Sequence, residues 1–206
     1  KASPKSAVKN RTGDPPGHLQ PTVIASSRHG LSEKSISPGA RTVVSTLQQS
    51  GYQAELVGGC VRDLLLGQRP KDFDVVTDAL PDEVRQVFRR ARLIGRRFRL
   101  AHVRVGREVI EVSTYRAKPD SDENDDSALN EHGRILRDNV FGTREEDVLR
   151  RDLTVNALYY DPESNTIFDY VGGFDDIHER RLRFIGDPQE RLNEDPVRML
   201  RAEIGR

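Results

Sequence analysis

The stretch from Gly58-Gly59 to Asp72-Phe73-Asp74 constrains this chain more than any other, because it asks for a strand, a tight turn, a short helix and a second strand in immediate succession. Leu56-Val57 end an apolar strand over residues 53–57, Gly58-Gly59 turn the chain, and residues 61–66 form an apolar helical segment closed by Gly67. Glycines at such a turn let the backbone approach a polyphosphate closely, and the start of the helix adds unpaired N–H groups and the positive end of its dipole. After Pro70, residues 71–77 read as extended, which places Asp72 and Asp74 on one face of a strand. On a helix the two carboxylates would diverge.

That face has the dimensions of metal-assisted phosphoryl chemistry. Alternate strand residues stand roughly 6.6 Å apart, two catalytic Mg²⁺ ions sit ~3.5–4 Å apart, and ligand bonds of ~2.1 Å close the gap. Two carboxylates sharing such ions can activate a 3′-hydroxyl and neutralise a leaving pyrophosphate, with no protein nucleophile. A lone Asp-x-Asp is ordinarily a solvated turn and a lone Gly-Gly a loop; the joined unit is specific, and it reads as a site for nucleotidyl transfer.

The chain has 206 residues, enough for one α/β domain and the start of another element. Formal net charge is +0 with 32% charged residues, so the total announces no nucleic-acid partner, but the distribution does. Arg85, Arg89, Arg90, Arg92, Arg96, Arg97, Arg99, Arg104 and Arg107 occur without one intervening Asp or Glu, whereas residues 120–126 are mostly acidic. Freedom from acidic neighbours favours contact of the arginines with phosphates of RNA or ATP over a plain solvated face.

Cys60 is the only cysteine, which excludes an intrachain disulfide and a Cys-x-x-Cys zinc site and fits a reducing cytoplasm. The five histidines lack metal-ligand spacing. No apolar run approaches the ~20 residues of a membrane span, and the basic, polar start lacks a signal peptide's apolar core. The chain opens on Lys1 rather than Met, consistent with a missing upstream segment.

Along the chain, residues 1–21 form a basic arm rich in proline and glycine and expected to be disordered, 22–178 the α/β unit that holds the candidate site, and 179–206 the start of a further, helical region. Ser37-Pro38 caps a helix that carries Ala40, Val43, Val44 and Leu47 inward and ends at Gly51. A second helix is predicted over 81–91, with Val84, Val87, Phe88 and Ala91 inward. Residues 99–105 and 108–115 alternate as a hairpin about Gly106-Arg107. Residues 117–131 read as a mobile loop, and Thr143 with Glu146 as the capping box of a helix running towards Arg150. A strand is expected over 167–171, a turn at Gly172-Gly173, and a helix from Asp187 onward.

With these motifs in place, the chain resembles the polymerase β nucleotidyltransferase superfamily, and within it the bacterial branch that holds CCA-adding enzymes and poly(A) polymerases. The resemblance covers roughly residues 23–201. It implies an α/β head with a mixed sheet and flanking helices, the Asp-x-Asp strand at the sheet's functional edge, and the start of a helical neck. It implies Mg²⁺-dependent transfer of AMP from ATP to an RNA 3′ end. Asp72 and Asp74 would be catalytic and hold metal, and Gly58, Gly59 and Arg62 would bind the nucleotide.

Arg150-Arg151-Asp152-Leu153-Thr154-Val155-Asn156 matches the family's second motif. The match implies that Asp152 joins the two aspartates, with Arg151 and Asn156 on the nucleotide's phosphates and sugar; an arginine fork suits phosphate. Glu111 competes as third carboxylate, because it alternates with Val109 and Ser113 on a strand that could lie beside the Asp-x-Asp strand. The sequence leaves that choice open; the resemblance favours Asp152 for the catalytic role, with room for both to contribute.

Residues 169–176, around Gly172-Gly173, resemble the family's flexible link between head and neck, and residues 194–201 its base-reading motif, in which Asp195 and Arg198 would accept and donate hydrogen bonds to the incoming base. Gly95-Arg96-Arg97-Phe98-Arg99-Leu100-Ala101-His102 looks like the polyadenylating version of its strand. A CCA-adding or A-adding tRNA enzyme is the alternative of the same class, and a catalytically weak RNA- or nucleotide-binding fragment the alternative of another.

Overall fold

The computed structural model describes residues 19–95, 99–117 and 141–189. Most of the basic arm, Arg96, Arg97 and Phe98, nearly all of the acidic loop, Asp195 and Arg198 lie outside the described residues, as does almost all of the helix expected from Asp187 onward.

The chain opens with strand β1 (Thr22–Ala25) and a single helical turn α1 (Ser26–His29), followed by α2 (Pro38–Gln49), β2 (Ala54–Val57), α3 (Gly59–Leu65), β3 (Asp74–Thr77) and α4 (Pro81–Val87). Next come β4 (Arg92–Ile94), β5 (Leu100–Val105), β6 (Glu108–Thr114), α5 (Arg144–Leu149), β7 (Leu158–Asp161), β8 (Thr166–Asp169) and α6 (Gly173–His178). The strands form one mixed sheet in the order β1-β8-β7-β2-β3-β6-β5-β4. β3 and β6 pair in parallel and every other neighbouring pair is antiparallel.

Local chemistry accounts for the element ends. Ser37 Oγ accepts from the Ala40 N–H at 3.1 Å and Pro38 occupies the first turn of α2, a pre-set start that needs no amide donor. Thr143 Oγ1 accepts from the Glu146 N–H, and Glu146 accepts from the Thr143 N–H at 2.7 Å, closing the expected capping box of α5. Gly106, at φ +59°, turns the β5–β6 hairpin.

Four expectations are corrected. The Asp-x-Asp strand is shorter than residues 71–77: Lys71 and Asp72 lie in a bend, and β3 begins at Asp74. β3 is also interior to the sheet, between β2 and β6, rather than at an edge. Helix α4 stops at Val87, where Phe88 leaves helical geometry and a turn leads into β4, a strand too short for periodicity to reveal. The link at Gly172-Gly173 is tied rather than loose: Asp169 accepts from the N–H groups of Val171, Gly172, Gly173 and Phe174. A Cβ on Gly173 would stand 2.1 Å from the Thr154 carbonyl, so α6 packs backbone-to-backbone against the 3₁₀ turn Thr154–Asn156.

The two faces of the sheet differ in kind. Helices α2, α3 and α4 cover one face, and Val43, Leu47, Val61 and Val84 pack there on Leu56, Val75, Val103 and Ile110. The opposite face carries Val57, Val76, Tyr115 and Tyr159 under Val148 of α5, and it is threaded with charge. Glu55 of β2 is 3% exposed on this face; it accepts from Tyr115 Oη and pairs with Arg144.

Burial raises the Glu55 carboxyl from 4.5 to about 7, and the Arg144 guanidinium offsets only part of that. The folded state therefore holds this proton more tightly than the unfolded chain, so stability falls as pH climbs from 4.5 through about 7. Denaturant titrations are expected to show the wild type losing on the order of 3 kcal/mol relative to Glu55→Gln across that window. A pH-independent difference between the two proteins would contradict the assignment.

Candidate active site

The turn between β2 and α3 begins at Gly58, whose φ of +82° and ψ of −144° suit glycine alone. A Cβ at Gly58 would lie 3.8 Å from Asp74 Oδ2, so any longer side chain would press on the carboxylate. Gly59 opens α3, with the Arg62 guanidinium 3.5 Å from the place its Cβ would take. Cys60, next in line, is buried, donates to the Val57 carbonyl and has its thiol pushed up to about 12 by burial, so it is a packing residue with no reactive thiolate.

Sheet register decides the carboxylates. Val57 of β2 lies opposite Asp74 on one side, and Glu111 of β6 lies opposite Asp74 on the other. Directly opposed residues point to the same face, so Asp74 and Glu111 stand side by side there. Asp72 precedes them in the bend. Although Asp74 is exposed as a residue, its carboxyl is lifted from 3.8 to about 6, first by desolvation and then by the negative charge of Glu111, with Asp72 adding to it and Arg151 opposing. The carboxylates acting most directly on Asp74 are thus Glu111 and Asp72.

His102 of β5 continues the row. It lies opposite Glu111, and its Nε2 is 3.5 Å from Glu111 Oε2. Beside Asp72, on the helix-covered side, is a groove of about 730 Å³ whose walls include Lys34, Arg69 and Lys71.

The second motif comes to the same region from α5 and the turn that follows it. Arg62 Nη1 donates to Asn156 Oδ1 at 2.8 Å, uniting two residues singled out 94 positions apart. Arg62 also donates twice to Asp63. Asn156 ends the 3₁₀ turn Thr154–Asn156, which is held where Thr154 Oγ1 donates to Asp176 at 2.6 Å and Arg183 Nε donates to the same carboxylate.

Arg151 donates to Asp147 Oδ2 through Nε and Nη2 and to Tyr159 Oη. Asp147 is fully buried, and it also receives Arg150 and the Arg116 N–H. The flanking guanidiniums and the Tyr159 hydroxyl hold its carboxyl below the usual range despite burial. Asp152 lies half-buried just past this cluster, with its carbonyl accepting from the Ile185 N–H.

Asp147 and Tyr159 are the residues that sequence reasoning missed. The signal for Asp147 was its spacing of three and four residues from Arg150 and Arg151, which puts acid and base on one helical face. Removing one partner of a buried ion pair costs about 3–5 kcal/mol because the other charge is stranded. Asp147→Asn is expected to lower stability on that scale in urea titrations, with Asp147→Glu recovering part of it. An Asn variant as stable as wild type would mean that Arg150 and Arg151 hold themselves in place without it.

Comparison with known proteins places this geometry. Residues 54–183 match the family described as the poly A polymerase head domain. The chain is 54% identical over 183 residues to poly(A) polymerase I of Salmonella typhi, an alignment covering 88% of this chain and 39% of that protein. It is 39% identical over 161 residues to the CCA-adding enzyme of Bacillus pumilus, covering 78% of this chain and 38% of the relative. The crystal structure of the Bacillus stearothermophilus CCA-adding enzyme in complex with CTP superposes with a TM-score of 0.67 at 33% identity, over 81% of this chain and 38% of the other. The chain thus spans about two fifths of the length of the curated relatives it matches. With a glycine turn, a carboxylate pair on adjacent strands and an arginine-bearing second motif all inside the matched region, the chain belongs to the poly(A) polymerase head-domain family of nucleotidyltransferases.

Proposed function

We propose that this chain is the catalytic head of an enzyme that adds AMP from ATP to the 3′ end of RNA without a template and releases pyrophosphate. One observation carries the reading: Asp74 and Glu111 stand side by side on one face of the sheet, with the Gly58 turn against Asp74. Identity to poly(A) polymerase I, 54% against 39% for the CCA-adding relative, favours adenylate addition. The lone, buried Cys60 suits a reducing bacterial cytoplasm.

The residues present fit Mg²⁺. Among the described residues no group of three or more His, Cys, Asp and Glu side chains forms a ready-made cage, and Mg²⁺ in phosphoryl-transfer sites is held by one or two carboxylates together with substrate phosphates. Like charges concentrated around Asp74 are what a divalent cation would relieve. When bound by Asp72, Asp74 and Glu111, Mg²⁺ would supply Lewis acidity towards the 3′-hydroxyl and neutralise charge on the triphosphate.

The protein's own part is placement. Gly58 and Gly59 keep the floor of the site at backbone level so that phosphates can approach it. Arg62, oriented by Asp63 and Asn156, offers a guanidinium edge to a phosphate or ribose. Arg151, clamped by Asp147 and Tyr159, keeps a positive charge near Asp74 without relying on a flexible side chain. We assign Glu111 as the third metal carboxylate on register, and Asp152 to the nucleotide or to positioning of the second motif. Asp195 and Arg198 are proposed to read the base.

The function is tested by giving the full-length protein that carries this head a generic single-stranded RNA and a tRNA lacking its 3′ end, with ATP and CTP offered separately. Repeated AMP addition to the generic RNA is expected; CTP incorporation confined to the tRNA would establish the CCA-adding alternative instead. Loss of one charge-stabilising group costs about 10²–10³ in kcat. Asp72→Ala, Asp74→Ala and Glu111→Ala are each expected to lose at least that much while unfolding normally, and Asp152→Ala to raise KM for ATP more than it lowers kcat. Wild-type turnover in Glu111→Ala, with loss in Asp152→Ala, would reverse the assignment of the third carboxylate.

A further inference from the structure

We propose that the sheet face at β4, β5 and β6, left open by the described residues, is a track for the phosphates of the RNA strand being extended, with Arg90, Arg92 and Arg104 as its cationic contacts. This rests on the reading of the chain as an RNA-extending head and names the surface that would hold its primer.

Register is the first support. Asp74, Glu111, His102 and Arg92 are successive opposed partners across β3, β6, β5 and β4, so they form one row on one face. Three strand spacings of about 4.8 Å put Arg92 roughly 14 Å from Asp74 along that row. Arg104 lies two residues beyond His102 on the same strand and therefore on the same face.

Arg90, Arg92, His102 and Arg104 line one groove of about 740 Å³ together with Ile94 and Val109, and no acidic side chain is among the described residues of its wall. None of the three arginines makes an ion pair with another described residue, whereas Arg99, from the same run of sequence, faces Asp82 at 3.8 Å. Among the described residues, Arg90, Arg92 and Arg104 are thus three cations without an ion-pair partner along one groove.

Position distinguishes a primer strand from a nucleotide. The Gly58 turn approaches Asp74 from the β2 side, while the arginine groove extends from Asp74 on the β6 side. Attacking and leaving oxygens lie on opposite sides of the transferred phosphorus in an in-line displacement, so a triphosphate over the glycine turn leaves the β6 side to the attacking strand. The arginines are strung outward from the carboxylates, as successive phosphates of a chain require. Ile94 and Val109 offer apolar contact without base-specific hydrogen bonds, so the track reads backbone and not sequence.

The test measures binding of this chain to a short unstructured single-stranded RNA over a range of KCl concentrations, for wild type, Arg92→Ala/Arg104→Ala, Arg92→Lys/Arg104→Lys, and Lys34→Ala/Arg69→Ala/Lys71→Ala. Each phosphate contact to a single strand contributes about 0.7 to the slope of log K against log salt. The Arg92/Arg104 alanine pair is therefore expected to flatten that slope by about 1.4, and the lysine pair to keep it. In extension assays on the full-length protein the alanine pair raises KM for RNA several-fold and leaves KM for ATP unchanged.

An unchanged slope overturns the proposal, as does a rise in KM for ATP alone, or a flattened slope found only in the Lys34/Arg69/Lys71 variant. Failure of the wild type to extend any RNA would overturn the enzymatic reading, and the salt slope would still decide whether this face holds RNA.

Discussion

Parallel pairing of β3 with β6, with β2 on the other flank of β3, is the constraint from which the site follows. Side chains alternate faces along a strand, so a slip of one residue in either pairing would move Asp74 or Glu111 to the helix-covered face and bury an unpaired carboxylate there. The apolar residues prevent it. Val75, Val103 and Ile110 must meet α2, α3 and α4, and that requirement holds the intervening Asp74 and Glu111 on the opposite side.

The arrangement gathers like charges, which the fold tolerates because opposite charge is fixed nearby. Glu111 and Asp72 act on Asp74 from one direction, and Arg151 opposes them from another. Arg151 is effective because it is not free to swing away: Asp147, with no exposed surface, receives it together with Arg150 and the backbone of Arg116. A buried charge at Asp147 is stable only with those partners, so the cost of burial is converted into the placement of an arginine beside the carboxylates. Arg62 and Asn156 show the same logic on a smaller scale, each orienting the other from distant parts of the chain.

Division of the sheet into two unlike faces gives these groups their setting. One face is an aliphatic core under three helices; on the other the described residues supply only partial cover, from α5 and the tyrosines Tyr115 and Tyr159, and leave β4 and β5 open beyond it. Glycine packing closes the far end. Asp169 satisfies the first amides of α6, and the absence of a side chain on Gly173 lets that helix rest on the carbonyl of Thr154, which fixes the turn bearing Asn156.

Much of this was legible in the amino-acid order, since it depends on near neighbours. The strand–glycine–helix unit before Asp74, the Ser37-Pro38 cap, the Thr143–Glu146 box and the Gly106 hairpin are set by contacts within a few residues, and all are present in the fold. Glu111 was a candidate by strand alternation, but only the pairing of β6 with β3, made between residues 37 positions apart, brought it to Asp74.

Several features could not be read from local pattern. β4 is too short to show a period, β7 is apolar on both faces, and the interior place of β3 depends on long-range pairing. Asp147 looked like one more acidic residue on a charged helix until packing buried it beneath Arg150 and Arg151. The sequence by itself determined which residue types stand in each local motif, because turns, caps and alternation are short-range. Which carboxylates are neighbours and, among the described residues, which arginines lack an ion-pair partner and which face is left open were decided by the tertiary structure, because sheet order and register are settled by burial summed over the whole core.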